Sequence, residues 1–174
     1  MMHTYKIHGI IIRRREYKET DKIITVISKT NGKLSVIAKG IRSVISKRAP
    51  GLELFNQVVL TLHKGKFLDY VTEVTVVESF SRIRTDLKRI SAAYELLEIA
   101  DLLTRENHDQ QDIFDLLCAH LHRLNVGDLD CIYEFKHDIL VALGFLSDEQ
   151  AAVEFDEYIE RLAERKLYAP KIYE

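Results

Sequence analysis

The stretch at residues 31–55 reads N-G-K-L-S-V-I-A-K-G-I-R-S-V-I-S-K-R-A-P-G-L-E-L-F. It opens with Asn31-Gly32, the dipeptide that tight hairpin turns favour, because both central residues of such a turn need a positive φ. The segment Lys33–Lys39 then alternates between two faces, which predicts a strand with one buried face. Gly40 ends this strand. A hairpin is therefore expected at the centre of a small β-module.

Basic side chains follow this strand and the loop after it. Lys33 and Lys39 lie on one face of the strand. Arg42, Lys47 and Arg48 come in the next segment. Lysines on a strand face, with arginines just past its end, suit a polyanion. A solvated basic surface without a partner is the simpler alternative.

The charges of the chain are divided between its two halves. Residues 1–90 hold ten lysines and eight arginines against eight carboxylates, a net charge of +10. Residues 91–174 hold seven cations against nineteen carboxylates, a net charge of −12. The net charge of −2 for the whole chain conceals this division. Such asymmetry indicates a nucleic-acid or membrane face on the first half.

Residues 1–80 carry the pattern of β-strands. Strands are predicted over five segments: Tyr5–Arg14, Asp21–Ser28, Lys33–Lys39, Asn56–His63 and Leu68–Glu78. Five strands, with an irregular or helical piece between the third and the fourth, are typical of the OB-fold. In that barrel the face of strands two and three, together with two loops, binds oligonucleotides. An SH3-like or other small barrel would have a similar number of strands.

The two predicted binding loops each combine cations with an aromatic residue. The first is R-R-R-E-Y-K-E-T at residues 13–20, and the second is H-K-G-K-F at residues 63–67. A single-strand groove uses cations for phosphates and rings for bases. A solvated strand end is the simpler reading of the three arginines, and Phe67 could equally belong to the core. The candidate DNA-binding residues are Arg13, Arg14, Arg15, Tyr17, Lys18, Lys22, Lys33, Lys39, Arg42, Lys47, Arg48, Lys64, Lys66 and Phe67.

Residues 81–174 switch to a helical period. The first helix is expected to bury a stripe made of Ile83, Leu87, Ile90, Tyr94 and Leu97. Three further helices are predicted at about 110–124, 130–143 and 148–167. The expected fold is therefore α+β in two parts, an N-terminal five-stranded OB-fold barrel at residues 1–80 and an all-α helical domain at residues 81–174.

The sequence carries no pattern typical of catalysis or metal binding. G-x-S-x-G, P-loop, G-x-G-x-x-G and H-E-x-x-H motifs are all missing, so we do not expect an enzyme. Cys118 and Cys131 lack C-x-x-C spacing. On a helix Cys118 shares a face with His122 but not with His120, whereas structural zinc needs four ligands. We therefore expect no metal and no other cofactor.

Membrane insertion and export are also not expected. No uncharged apolar run approaches the about 20 residues that span a bilayer. The first fifteen residues, M-M-H-T-Y-K-I-H-G-I-I-I-R-R-R, place a short apolar run ahead of the arginines. That order is wrong for a signal peptide. A cytoplasmic protein is therefore expected.

Several of these segments together resemble the bacterial RecO family of recombination and DNA-repair mediators. The similarity lies in R-R-R-E-Y-K-E-T-D-K-I-I at 13–24, N-G-K-L-S-V-I-A-K-G-I-R at 31–42, S-K-R at 46–48 and L-E-L-F at 52–55. It continues in T-E-V-T-V-V-E-S-F at 72–80, R-T-D-L-K-R-I-S-A-A-Y-E-L-L-E at 84–98 and F-K-H-D-I-L-V-A-L-G-F at 135–145.

The resemblance implies an N-terminal OB-fold followed by an α-helical domain. It implies binding of single- and double-stranded DNA without sequence preference, and annealing of complementary strands. It also implies joint action with RecR and the tail of single-strand DNA-binding protein to load RecA, in a nucleoid-associated location. The DNA contacts that it implies are Lys39, Arg42, Lys47, Arg48 and the basic residues near Tyr17.

The sequence departs from many RecO sequences in one region. Those carry a four-cysteine zinc element after the L-G-F or L-G-Y segment. Here Phe145 is followed by an acidic segment without cysteine up to Glu174. We therefore expect a shortened, zinc-free member, and features that depend on the missing part stay open.

Two classes of function are carried forward from the sequence. The first is a non-enzymatic DNA-binding mediator in recombinational repair, and the alternative is an OB-fold interaction scaffold that binds RNA or protein. The helical half is too acidic to be the main DNA surface. Instead we expect it to dock the acidic tail of single-strand DNA-binding protein in an apolar pocket with a cation at its rim. The candidate cations are Arg89, Arg105, Arg123 and Lys136.

Overall fold

The computed structural model describes residues 4–42, 46–106, 108, 111–147 and 154–173. The chain divides into two compact units. The first unit is Met1–Ser79 together with Arg105–Phe114, and the second is Phe80–Thr104 together with Asp115–Glu174. A short segment from the second half of the sequence thus belongs to the first unit.

Five strands form a closed barrel in the first unit. They are β1 Thr4–Tyr17, β2 Asp21–Ser28, β3 Gly32–Ala38, β4 Gln57–His63 and β5 Asp69–Glu78. The order around the barrel is β1-β2-β3-β5-β4, and β4 pairs again with β1. Every pair is antiparallel except β3 with β5. A 3₁₀ turn at Pro50–Leu52 lies between β3 and β4 in the chain. The predicted OB-fold is confirmed.

The first strand is longer than predicted. The prediction ends it at Arg14, but β1 continues to Tyr17 because residues 13–17 pair with β2. The predicted loop at 13–20 is therefore mostly strand, and only residues 18–20 form the turn. The other strand bounds agree with the prediction to within one residue.

The turn between β2 and β3 also differs from the prediction. Ser28 pairs with Gly32, so the loop has three residues, Lys29–Asn31. Gly32 has a φ of +63°, whereas Asn31 is not in the left-handed region. Three-residue hairpin loops commonly end on one residue in that region. The Ser28 hydroxyl accepts bonds from the backbone N–H groups of Thr30 and Asn31, at 3.3 and 3.1 Å, which hold the turn. The prediction that both Asn31 and Gly32 have positive φ angles is therefore wrong for Asn31.

Alternate side chains of the strands fill the barrel. The outer face of β2 and β3 is covered as well, since Thr25 is 1% and Ile37 7% exposed. The prediction of a strand with only one buried face is therefore wrong for β3, and Lys33 is buried with it. The interior cluster comprises Ile7, Ile11, Ile24, Val26, Val36, Ala38, Ile41, Leu52, Val58, Leu60, Leu62 and Val71.

Four helices follow the barrel strands in the sequence. They are α1 Leu87–Leu103, α2 Gln111–Val126, α3 Cys131–Ala142 and α4 Phe155–Ala163. The first part of the predicted fourth helix, 148–153, lies outside the described residues. Among the helices that the structure describes, none is long and apolar enough to cross a bilayer.

The stripe predicted for α1 is wrong at two of its five positions. Leu87 and Tyr94 are 64% and 42% exposed. Ile83 lies in a 3₁₀ turn before the helix. The helix contacts both α3 and α4, so side chains on several of its faces are buried rather than a single stripe. The buried residues are Ser91, Ala92, Ala93, Glu95, Leu96, Leu97, Ile99 and Ala100.

A charged cluster lies inside the second unit. Lys136 of α3 is 4% exposed, and its Nζ lies 2.8 Å from Glu95 and 2.7 Å from Asp156. Lys171 also pairs with Asp156, and the Tyr173 hydroxyl donates to Glu95. Burial raises the pKa of Glu95, and the neighbouring Lys136 only partly offsets that rise. We refer to these five residues as the buried charge cluster.

The C-terminal segment is held against α1 by backbone hydrogen bonds. The Glu98 carboxylate accepts bonds from the backbone N–H groups of Tyr168, at 2.9 Å, and Ala169, at 2.7 Å. The Ser91 hydroxyl donates to the carbonyl oxygen of Pro170 and accepts from the N–H of Ile172. Polar side chains on α1 are thus buried because they bind this segment.

Candidate nucleic-acid interface

One row of paired residues runs across the outer wall of the barrel. Arg15 of β1 lies opposite Ile23 of β2, which lies opposite Ile37 of β3. Ile37 pairs in turn with Tyr70 of β5, and Tyr70 pairs with His63 of β4. Directly opposed residues project from the same face of a sheet. The pairing therefore places an arginine, a tyrosine and a histidine along one outer surface.

Lys39 extends from the end of β3 over the ring of Tyr70. Its Nζ lies 4.0 Å from the ring centroid. A cleft of about 560 Å³ opens here, between Lys39, Arg48, His63 and Tyr70. An exposed cation–π contact is worth about 0.5–1 kcal/mol, so it orients the lysine while the charge stays in water. Tyr70 is half-buried. An oriented cation beside an aromatic ring is a combination that single-strand binding grooves use.

The turn between β1 and β2 lies beside this cleft. The N–H of Arg42 donates to the carbonyl oxygen of Thr20 at 3.1 Å, and the N–H of Gly40 donates to Asp21 at 2.9 Å. Arg42 also pairs with Glu16 at 3.3 Å. Both side chains are largely exposed, so this pair is weak and leaves Arg42 able to bind a phosphate. We define the cationic rim as the exposed side chains Arg13, Arg15, Tyr17, Lys18, Lys39, Arg42 and Lys47.

Other candidate cations are held inside the first unit. Arg14 is half-buried and pairs with Glu53. Arg48 is half-buried, Lys22 is half-buried within β2, and Lys33 is buried. These cations are therefore less accessible to a nucleic acid than the exposed cations of the rim.

Arg48 closes the gap where β3 and β5 separate. The two strands pair only through Val36–Ile37 and Asp69–Tyr70. Beyond that point the guanidinium donates to the carbonyl oxygens of Lys39 and Val71, each at 2.6 Å. The sequence reasoning assigned Arg48 to DNA alone, and the structure gives it a bridging role in the barrel.

Replacing Arg48 by alanine is therefore expected to destabilise the protein. Two charge-assisted bonds are lost and two carbonyl groups lose their donor, which lowers the free energy of unfolding by about 2 kcal/mol. The adjacent and exposed Lys47 is the matched control, since Lys47→Ala removes the same charge without these bonds. Urea denaturation of both variants measures the difference. Equal stability of the two variants would contradict the bridging role.

The loop between β4 and β5 carries a second group of candidates. Lys64 lies 4.6 Å from the ring centroid of Tyr5 and 3.2 Å from Asp69. Lys66 is exposed. Phe67 is 88% exposed, so it is not a core residue.

The expected groove over β2 and β3 is not open. Glu106 forms a bridge with Lys33, and the Ser35 hydroxyl donates to its carboxylate at 2.7 Å. The segment that contains Glu106 thus lies along β3. Nucleic acid would have to follow the cationic rim and the β4–β5 loop instead of this face.

The sequence comparisons agree with this architecture. The family model described as "Recombination protein O N terminal" matches residues 2–80. The model described as "Recombination protein O C terminal" matches residues 84–154. The chain belongs to the RecO family. The resemblance seen in the sequence motifs is confirmed.

Curated RecO relatives align over most of this chain. A protein named "DNA repair protein RecO" from Desulfitobacterium hafniense (strain DSM 10664 / DCB-2) is 34% identical over 173 residues, which are 97% of this chain and 62% of the relative. The protein of the same name from Heliobacterium modesticaldum is 33% identical, over 91% of this chain and 58% of the relative. The protein of the same name from Roseiflexus sp. (strain RS-1) is 36% identical, over 81% of this chain and 50% of the relative. The chain thus spans less than two thirds of the length of these relatives.

Four cations of this RecO chain were candidates for the rim of an apolar pocket in the helical half. The structure places them differently. Lys136 lies inside the buried charge cluster and not at a rim. Arg123 pairs with Asp128 and Glu134. Arg89 donates to the carbonyl oxygen of Asn125 at 3.0 Å. Arg105 is exposed but belongs to the first unit.

The cysteines of this RecO chain do not form a metal site within the described residues. No group of three or more potential ligands occurs in that part of the chain. The Cys131 thiol donates to the carbonyl oxygen of His120 at 3.7 Å. Burial raises the pKa of Cys131 to about 12, which disfavours the thiolate that zinc needs. The absence of structural zinc stays a prediction, to be checked by metal analysis of the purified protein.

Three aromatic residues of this interface were not among the candidates chosen from the sequence. They are Tyr5, Tyr70 and His63, of which only His63 had been placed in a predicted binding loop. Tyr70 follows the predicted second loop by only three positions, which was an available signal. Its position beside Lys39 depends on the parallel pairing of β3 with β5. That pairing joins strands distant in sequence and leaves no local pattern.

Proposed function

We propose that this chain is a non-enzymatic DNA-binding mediator that acts in recombinational DNA repair. The observation that supports it is the exposed cationic rim, in which Lys39 is oriented over the half-buried ring of Tyr70. Exposed cations beside an aromatic ring suit a nucleic-acid strand. The relatives' name, "DNA repair protein RecO", supports the biological setting.

The physical mechanism is neutralisation of phosphates. Each cation of the rim that contacts a phosphate releases counterions from the DNA, which favours binding without base readout. Two strands held on one basic surface repel each other less, so complementary bases meet and pair without a chemical step. Binding of single- and double-stranded DNA and annealing of complementary strands follow from the same charges.

The proposed division of labour follows the two halves of the chain. Residues 1–80 supply the DNA surface, and residues 81–174 supply partner contacts, because the second half has a net charge of −12 counted from residue 91. Family membership supports RecR, the tail of single-strand DNA-binding protein and, through them, RecA as partners. Arg89 and Arg105 are the better candidates for an acidic tail, since Arg123 and Lys136 are each held by two carboxylates, whereas Arg89 has one, Asp86, at 3.8 Å.

A strand-annealing assay tests this proposal. Two complementary labelled oligonucleotides should anneal faster in the presence of the full chain at low salt, with no nucleotide added. A gel shift with single-stranded DNA, double-stranded DNA and RNA of matched length ranks the ligands. Tight RNA binding without annealing, or no nucleic-acid binding, would favour an interaction scaffold. Turnover of a strand or nucleotide would indicate an enzyme.

A further inference from the structure

A second cleft in the first unit lies apart from the row at Tyr70. It has a volume of about 570 Å³, within the range of about 300–1,000 Å³ that holds small ligands. The β2–β3 turn, the β4–β5 loop and Glu106 all contribute to its lining. Its lining includes Tyr5, Ser35, Lys64, Phe67, Asp69 and Glu106.

Phe67 gives this cleft an exposed apolar surface. The ring is 88% exposed, and the loop that carries it is short, running from Lys64 to Leu68 between β4 and β5. Lys66 lies 5.4 Å from the ring centroid. An exposed phenylalanine flanked by lysines is poorly explained by packing, whereas it suits stacking with a planar ligand beside an anionic backbone.

Carboxylates form the polar part of the lining. Asp69 accepts bonds from the Tyr5 hydroxyl at 2.5 Å, the Gly65 N–H at 3.0 Å and Lys64 at 3.2 Å. Burial alone would raise the pKa of Asp69, but these bonds outweigh it and lower that pKa, so the group is ionised. Lys64 offsets one of the two carboxylates, so the lining keeps a net charge of −1, which does not favour a phosphate.

Glu106 is the carboxylate that remains able to bind a ligand. Ser35 donates to one of its oxygens at 2.7 Å, which fixes the side chain. A carboxylate has about four acceptor positions, so one bond from Ser35 leaves capacity for adjacent donors. Guanine presents two neighbouring donors on its pairing edge, the ring N–H and the exocyclic amino group. Cytosine presents one donor group there, its amino group, and thymine also presents one, its ring N–H.

We infer that this cleft holds one unpaired nucleobase, stacked on Phe67 and bonded through its pairing edge to Glu106, with guanine as the preferred base. The inference rests on the proposed function, because the strand must first be bound through its phosphates. Lys64 and Lys66 lie on the same loop and suit the flanking backbone. The cleft then adds a local base preference to binding that is otherwise independent of sequence.

The test uses labelled oligonucleotides of about 12 nucleotides, within the site size of OB-folds. One is all thymine, one has a single central guanine, and one a single central cytosine. Fluorescence anisotropy at low salt should show the guanine strand binding the full chain about fivefold or more tighter than either the thymine or the cytosine strand. Phe67→Ala should weaken binding of all three strands by about tenfold.

Glu106→Gln separates base recognition from general binding. The amide keeps the size of the side chain but places a donor against the donors of guanine, so the guanine-to-thymine affinity ratio should fall to near one. Glu73→Gln is the matched control, because Glu73 is also an exposed carboxylate held by a hydroxyl, that of Thr61. It should keep the wild-type ratio.

The outcomes distinguish this inference from the proposed function. Equal affinity of the wild-type chain for the guanine and thymine strands would overturn the inference while the proposed function stands. A guanine preference that survives Glu106→Gln would overturn it too. If none of the strands binds at low salt, both the inference and the proposed function are wrong.

Discussion

Replacing Lys136 by methionine is expected to lower the free energy of unfolding by about 3–5 kcal/mol. Methionine keeps much of the length of the side chain, so packing changes little. The loss is electrostatic, because Glu95 is fully buried and would keep a charge without its cation. Removal of one partner of a buried pair is strongly destabilising for this reason.

The destabilisation should depend on pH in a defined direction. Burial already raises the pKa of Glu95, and loss of Lys136 raises it further. A carboxyl group with a raised folded-state pKa stabilises the protein below its unfolded pKa, and that contribution is lost as the pH rises through the folded value. The cost of Lys136→Met should therefore be larger at about pH 8 than at about pH 5.

Chemical denaturation at both pH values measures this effect. Lys166→Met is the matched control, since Lys166 pairs with Glu160 at the surface and an exposed pair is expected to contribute little to stability. Glu95→Gln combined with Lys136→Met should recover part of the loss at high pH. If Lys136→Met is no more destabilising than Lys166→Met, the cluster is not the stabilising element described here.

Reversing two charges of the cationic rim is expected to have the largest effect on DNA binding. Lys39→Glu with Arg42→Glu removes two phosphate contacts of about 1 kcal/mol each and adds repulsion of similar size. Single-strand affinity at low salt should fall about 100-fold or more. Both side chains are exposed, so the thermal unfolding of the double variant should resemble that of the wild type.

A matched double reversal in the second unit controls for net charge. Lys88 and Arg161 are exposed on α1 and α4, and their change to glutamate alters the total charge equally. Neither of these two cations belongs to the proposed DNA surface. That control should retain most of the affinity. Equal losses in the two double variants would show that net charge, and not the rim, governs binding.

Local pattern was sufficient for much of the fold. Val58, Leu60 and Leu62 alternate in the sequence, and all three are fully buried on one face of β4. The 3.6-residue spacing of Ile113 and Leu121 likewise places them in the buried face of α2. In both elements one face meets the core and the other meets water, so periodicity reports burial directly.

Pattern failed where distant segments decide the structure. Residues 13–17 are polar and read as a loop, yet pairing with β2 makes them strand. The α1 helix packs on several sides and with the C-terminal segment, so no single stripe exists. The segment Arg105–Phe114 belongs to the first unit although it follows α1 in the sequence. None of these pairings leaves a local signal.

In the candidate interface too, some features could be predicted from the sequence and others depend on contacts between distant segments. Charge counting located the basic half, and Lys39 and Arg42 lie exposed where the sequence placed them. The same counting could not separate Arg48, which bridges two strands, from Lys47 beside it. It also could not find Tyr70, whose role depends on pairing between β3 and β5. Charge is visible in a sequence, whereas the partner of each charge is a property of the fold.

The salt dependence of single-strand binding tests the central claim most directly. The rim has six exposed cations, Arg13, Arg15, Lys18, Lys39, Arg42 and Lys47. With about 0.7 counterions released per phosphate contact, the logarithm of the association constant should fall against the logarithm of salt concentration with a slope of about −3 to −4. The Lys39→Glu and Arg42→Glu double variant should have a slope shallower by about 1 to 2 units. A flat dependence in the wild type, or equal slopes in both proteins, would contradict DNA binding through this rim.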